Sequence, residues 1–297
     1  MVLDSVANPV VVAEDIIVRT RPDSLPYLSI VEFSMTVLRI RTLIAFLGLS
    51  LVAFGSSAVA EDAKWVTIKG QVKLSDLKLK ALEKPALLNV TTDVAHCQSK
   101  GPLTAEDLIV NPKNGGVKNV WVYLKPATGD VFAPEAIHPD LANAKPKVLV
   151  IDQPCCQFIP RAFAARTGDT LLIKNSSPVP HNTNFNSDDL SFNQTIAAGG
   201  EYKPEKALKA QRSQATYACN IHPWMKGLVM IFDHPYFAVT DADGKYEIKD
   251  APAGAIRVFY RHEGGFHKGK DGAKGFPSDL AGATMELKPI DIELPAK

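Results

Sequence analysis

Within seven residues, Cys219-Asn220-Ile221-His222-Pro223-Trp224-Met225, the chain places a thiol, an imidazole and a thioether at offsets 0, +3 and +6. The apolar run Leu228-Val229-Met230-Ile231-Phe232 follows and reads as a strand. A soft sulfur, a borderline nitrogen and a weak thioether in one tight turn suit a metal that cycles between Cu(I) and Cu(II), and sites of that kind combine two His, one Cys and a long axial Met. The turn supplies three of the four, so the fold must bring a second histidine from elsewhere. Pro180-His181-Asn182 is the candidate, because His181 follows a strand-like run, residues 169–175, and an Asn-Ser-Ser-Pro turn.

The order of His181, then Cys219-x2-His222-x2-Met225 after 38 positions, resembles the cupredoxin family of blue type 1 copper proteins. The short ligand loop is similar to that of amicyanin and pseudoazurin, and the resemblance spans residues 148 to 233. Phe158-Ile159-Pro160 with Arg166-Thr167-Gly168-Asp169-Thr170 is similar to the family's entry to the strand before the first ligand, and Tyr217-x-Cys219 to its strand into the ligand cysteine. The glycine often found before that strand is absent, since Ser213-Gln214-Ala215-Thr216 stands there. The resemblance implies a Greek-key β-sandwich and one type 1 copper, held by His181, Cys219 and His222 in a plane with Met225 as the weak axial contact. It further implies one-electron transfer with a redox partner protein, and a role for Asn182 in tying the two ligand loops and donating its amide toward the Cys219 sulfur. Pro223 removes one amide donor and stiffens the loop. Trp224 has two readings: a rim residue where a partner docks beside an exposed histidine, or a loop residue packed on the sandwich end.

The N-terminal region reads as a targeting segment. Met35, Arg39 and Arg41 precede the apolar stretch 43–54, and Ala58-Val59-Ala60 forms a small-residue cleavage site, so residues 35–60 are expected to be a signal peptide cut after Ala60. Residues 1–34 are expected to be a misassigned extension, the alternative being an uncleaved signal-anchor with a cytoplasmic tail. No later apolar run approaches the roughly 18 residues that a membrane-spanning helix needs. The chain is therefore expected to be periplasmic or secreted. Removing residues 1–60 leaves 29 Lys and Arg against 27 Asp and Glu, a net +2. Such balance offers no electrostatic case for nucleic acid or an anionic membrane as partner.

Cysteines stand at 97, 155, 156 and 219. With Cys219 reserved as the metal thiolate, an oxidising compartment predicts a disulfide between Cys97 and either Cys156 or Cys155.

Alternating runs separated by Gly and Pro turns predict an all-β chain. The expected modules are an N-terminal β module over 61–145, the copper-binding domain over 146–234, and a third β module over 235–297. Residues 66–74 and 117–124 read as half-buried strands, and 238–248 as a hairpin with an Asp-Gly turn. Residues 235–297, with Thr240-Asp241-Ala242-Asp243-Gly244-Lys245-Tyr246 and then Pro252-Ala253-Gly254, are similar to the second half of a carboxypeptidase regulatory-like, prealbumin-like sandwich. Two arrangements stay open: residues 65–125 and 235–297 form one sandwich split around the copper domain, or two sandwiches stand in tandem. Short helices are expected within 204–211 and from Thr104.

His262 and His267 read as part of a solvated Gly- and Lys-rich loop, and no nucleotide-binding loop, zincin or serine-hydrolase motif occurs. Four protein ligands leave no open coordination position, which argues against catalysis at the metal. The competing readings are a non-redox copper-binding protein and a structural or carbohydrate-binding exported sandwich.

Overall fold

The computed structural model describes residues 63–293. The expected extension, the signal peptide and its cleavage site lie outside them. The described residues form an all-β structure. Its strands are β1 (Trp65–Lys73), β2 (Trp121–Pro126), β3 (Val148–Asp152), β4 (Ala162–Arg166), β5 (Thr170–Lys174), β6 (His181–Asn186), β7 (Ser191–Ile196), β8 (Glu201–Tyr202), β9 (Ala215–Ala218) and β10 (Lys226–Phe232). The chain continues with β11 (Phe237–Val239), β12 (Lys245–Pro252), β13 (Gly254–His262), β14 (Gly265–Phe266), β15 (Phe276–Leu280), β16 (Thr284–Glu286) and β17 (Ile290–Asp291). The α-helices are single turns: α1 (Asp76–Lys80), α2 (Val94–Cys97), α3 (Pro139–Ala142) and α4 (Gly269–Gly272). Among the described residues no helix is long and apolar enough to cross a membrane.

Four sheets make two layered bodies. One body stacks the sheet β4-β10-β9-β6-β7 on β3-β5-β8 around Ile151, Phe158, Leu171, Phe185, Tyr217, Val229 and Ile231. The other joins β12-β1-β16 and β11-β2-β13-β14 around Ile68, Val72, Val122, Leu124, Ile248 and Val258. In it β1 pairs antiparallel with β12, and β2 with β13, so chain from before and after the first body shares one core.

Residues 117–124 are buried on both faces rather than one. Val122 and Leu124 point into their own core, while Trp121 and Tyr123 meet Leu228, Met230 and Phe232 of β10 in a third cluster. The alternation of β2 therefore serves two cores. Burying each ring or branched side chain contributes about 1.5 to 3 kcal/mol. Trp121 Nε1 donates to the carbonyl of Phe163 at 2.7 Å, and Arg161 pairs with Glu263, so polar bonds also cross between the bodies.

The chain departs from several sequence expectations. Residues 204–211 are not helical: Leu208 donates to the Asp169 carbonyl and accepts from Gly168, so its backbone bonds go to the β4–β5 turn instead of along a helix. No helix starts at Thr104, which bridges Leu87 in extended chain. The strand expected from Val117 begins only at Trp121, because Asn119 adopts a left-handed φ of 65°. The Asp241–Gly244 turn forms, but its flanks do not pair as a hairpin. β11 joins β2 and β12 joins β1, so the turn carries the chain from one sheet to the other. Gly244 is required there: its φ is 72° and an added Cβ would collide with the Val72 carbonyl. His262 and His267 are buried rather than solvated, and His267 Nδ1 accepts from the Glu293 amide at 3.0 Å.

Candidate metal centre

Two elements bring the expected ligands together. β6 opens at His181 and pairs with β9, whose last residue Ala218 lies opposite Asn184. The ligand loop leaves the end of β9 beside the start of β6. Asn175 holds the approach to His181, its side-chain amide donating to the carbonyls of Val179 and Ile196 at 2.9 Å each.

The loop between β9 and β10 closes on itself. Cys219 N–H donates to the Met225 carbonyl at 3.1 Å, and Met225 N–H to the His222 carbonyl at 2.9 Å. The second bond makes 222–225 a β-turn with Pro223 at its second position, where a fixed φ near −65° is favoured. His181, Cys219, His222 and Met225 are all buried. The Nδ1 atoms of His181 and His222 are 2.9 Å apart, and Cys219 Sγ lies 4.0 and 3.7 Å from them. Met225 lies in the same apolar cluster as Cys219.

Asn182 ties the two segments. Its N–H approaches Cys219 Sγ at 3.5 Å, and its side-chain carbonyl accepts from Asn220 N–H at 2.6 Å and Ile221 N–H at 3.3 Å. Its amide nitrogen donates to Asn193 on β7 at 2.7 Å, which holds the side chain in that orientation.

The donor set suits a soft or borderline metal. Bonds of about 2 Å from nitrogen and about 2.3 Å from sulfur, as in tetrahedral sites, bridge gaps of this size. Both imidazoles must be neutral to serve. Burial pushes His181 down to about 4, with His222 as a second cause, and burial likewise lowers His222 against the opposing pull of Asp93. At 2.9 Å the two Nδ1 atoms are within hydrogen-bonding distance of each other, and both would have to turn lone pairs to a metal held between them. His181 Nε2 is buried without a hydrogen-bond partner among the described residues.

His222 is wholly buried, which corrects the expectation of an exposed histidine edge. A segment from far upstream covers it: His222 Nε2 lies 3.0 Å from Asp93 Oδ2, just before α2. Cys97, closing α2, forms a disulfide with Cys156, and Cys155 is free and half-buried. The disulfide sulfurs sit beside His222, within 4.8 Å of its ring nitrogen. Trp224 is half-buried: its ring lies 5.2 Å from that of His222 and its Nε1 donates to the Cys156 carbonyl at 3.2 Å. Sequence reasoning missed Asp93, His96 and Asn193. The cluster Asp93-x2-His96-Cys97 was the available signal, three chemistry-bearing side chains in five residues, but nothing local says what they face.

No protein-family model matches the chain, and no curated protein matches it. Among solved structures the chain is similar to cupredoxin-type proteins. A Cu-containing nitrite reductase from Thermus scotoductus SA-01 aligns at 19% identity and TM-score 0.27, over 30% of this chain and 23% of that one. A purple cupredoxin from Nitrosopumilus maritimus aligns at 23% identity and TM-score 0.24, over 28% of this chain and 97% of that one. A mutant amicyanin in the Cu(I) state aligns at 19% identity and TM-score 0.25, over 28% of this chain and 81% of that one. The chain thus spans about a quarter of the reductase's length.

Proposed function

We propose that this protein is an exported type 1 copper protein that exchanges single electrons with a partner protein, in which His181, Cys219 and His222 would serve as strong ligands and Met225 as a weaker one. The observation that carries the reading is the convergence of two imidazole Nδ1 atoms and one cysteine sulfur in a buried pocket, with an Asn182 N–H directed at that sulfur. Bound copper would supply the one-electron couple. Cys219 would bind as the thiolate, the form a metal ligand takes. Burial excludes water, and the closed loop and the Asn182 bonds hold the donors still, so little need move between oxidation states.

The second body serves in this reading as a scaffold that is continuous with the copper-binding one through the Trp121 cluster. Docking is assigned to the rim at Trp224, the aromatic ring next to the covered His222. Replacing Trp224 with Ala should slow electron exchange with a partner while leaving the copper spectrum unchanged.

The test is addition of Cu(II) to the purified chain, followed by visible absorption and electron paramagnetic resonance. Intense thiolate-to-copper charge transfer with narrow copper hyperfine splitting is expected. A colourless protein, or a Cys219→Ala variant that binds copper equally well, defeats the assignment. The covered histidine edge supports one competing reading, a protein that holds copper without passing electrons. A coloured site that small inorganic oxidants and reductants cannot cycle would favour it.

A further inference from the structure

The ligand loop does not close its own outer edge; the α2 turn does, and three of its side chains reach three different elements around the centre. Cys97 is joined to Cys156 before β4. His96 Nε2 lies 3.2 Å from the hydroxyl of Ser177, in the turn that leads to His181. Asp93 reaches His222 from the ligand loop.

Asp93 occupies the N-cap position of α2, where a carboxylate ordinarily accepts from the first N–H groups of its helix. It makes no such bond. Its backbone instead stands in the left-handed region at φ 48° and ψ 37°, a conformation uncommon outside glycine that Asp tolerates better than most residues. Its carbonyl is held by Cys97 N–H at 2.9 Å, so the disulfide also anchors the peptide that carries the carboxylate. The contact is a charge-assisted hydrogen bond from a neutral imidazole to a carboxylate, a stronger class than bonds between neutral groups. His222 is wholly buried and the Asp93 side chain is 34% exposed, so less water competes for it.

We propose that Asp93 is a positioning residue of the metal centre. Its carboxylate holds the ring proton of His222 on Nε2, turns the Nδ1 lone pair toward Cys219 and His181, and places a negative charge that favours Cu(II) over Cu(I). An ionised carboxylate accepts hydrogen bonds and cannot donate, so the imidazole must donate from Nε2, which leaves Nδ1 unprotonated. Partners of this kind fix ring orientation and raise ligand basicity. A nearby negative charge stabilises the more highly charged ion more strongly. The assignment of Asp93 rests on the copper reading for its second half and on the metal-free chain for its first.

The experiment compares the wild-type chain with Asp93→Asn, which keeps the shape and removes the charge, and with Asp93→Ala. In the metal-free protein, nitrogen-15 spectra of labelled histidine should show His222 as the Nε2–H tautomer, and a mixture in Asp93→Ala. In the copper-loaded protein, Cu(II) affinity by chelator competition should fall about 10- to 100-fold. The reduction potential should rise by about 59 mV for each tenfold loss of Cu(II) affinity not shared by Cu(I). A tautomer unchanged in Asp93→Ala, or a potential unchanged in both variants, overturns the proposal. A wild-type chain without a copper–thiolate band would defeat the copper reading instead, and the tautomer measurement would still stand on its own.

Discussion

The side-chain carbonyl of Asn182 accepts from the backbone N–H of Asn220 at 2.6 Å, so a residue on β6 holds the first peptide of the loop that follows β9. Replacing Asn182 with Ala strips that bond, the one to Ile221, and the brace to Asn193. Loss of these partly buried hydrogen bonds should cost about 0.5 to 1.5 kcal/mol each, read as a lower urea midpoint. Copper affinity should fall about 10- to 100-fold, because support behind a ligand sets its orientation. A variant that keeps wild-type affinity would show that the loop holds its shape alone.

The disulfide closes a long loop, since Cys97 and Cys156 are 59 positions apart. Substituting both with Ser should cost about 2 to 5 kcal/mol. The specific consequence is local: amides of residues 93–98 should exchange faster with solvent, and His222 should become reactive to an imidazole-acylating reagent. Unchanged protection in that segment would mean that the Asp93 and His96 contacts suffice to hold it.

His234 is buried beside Phe132 and Phe232, and burial, then Lys125, pushes its imidazole down to about 3. Unfolding restores an ordinary value near 6.5, so between those limits the unfolded chain binds a proton that the folded chain refuses. Stability should therefore be fully present above pH 6.5 and decline as pH falls toward about 3, at about 1.4 kcal/mol per pH unit for this one group. Urea unfolding of the metal-free chain across that range, compared with His234→Gln, isolates the effect. Equal slopes in the two proteins would contradict it.

Gly227, opposite Tyr217 across β9 and β10, lies under the tyrosine ring, and an added Cβ would overlap it. The ring cannot retreat freely, since its hydroxyl donates to the carbonyls of Pro160 and Arg161. Gly227→Ala should cost about 1 to 3 kcal/mol through overpacking. It should also shift β9, and with it Cys219, two residues beyond Tyr217. A thermal midpoint equal to wild type would show that the ring has room to slide.

Strand content was legible because alternation is a local property: Val66, Ile68, Gly70 and Val72 repeat every second residue and form one buried edge of β1. The second buried face of β2 was not, since Trp121 and Tyr123 look like ordinary outward residues until β10 covers them. The helix expected over 204–211 failed for a related reason. Leu208 finds its backbone partners in residues 168 and 169, a nonlocal choice that propensity cannot register.

The same division runs through the candidate metal centre. That Cys219, His222 and Met225 share one turn is dictated by seven consecutive residues and by Pro223, because a chain that short has few ways to close. The distance from His181 to those donors depends on the pairing of β6 with β9, and the burial of His222 depends on Asp93, 129 positions away. Donor type and spacing are properties of the covalent chain. Which edge of a ligand meets water is decided by whatever segment folds over it, and here that segment is the disulfide-anchored α2 turn.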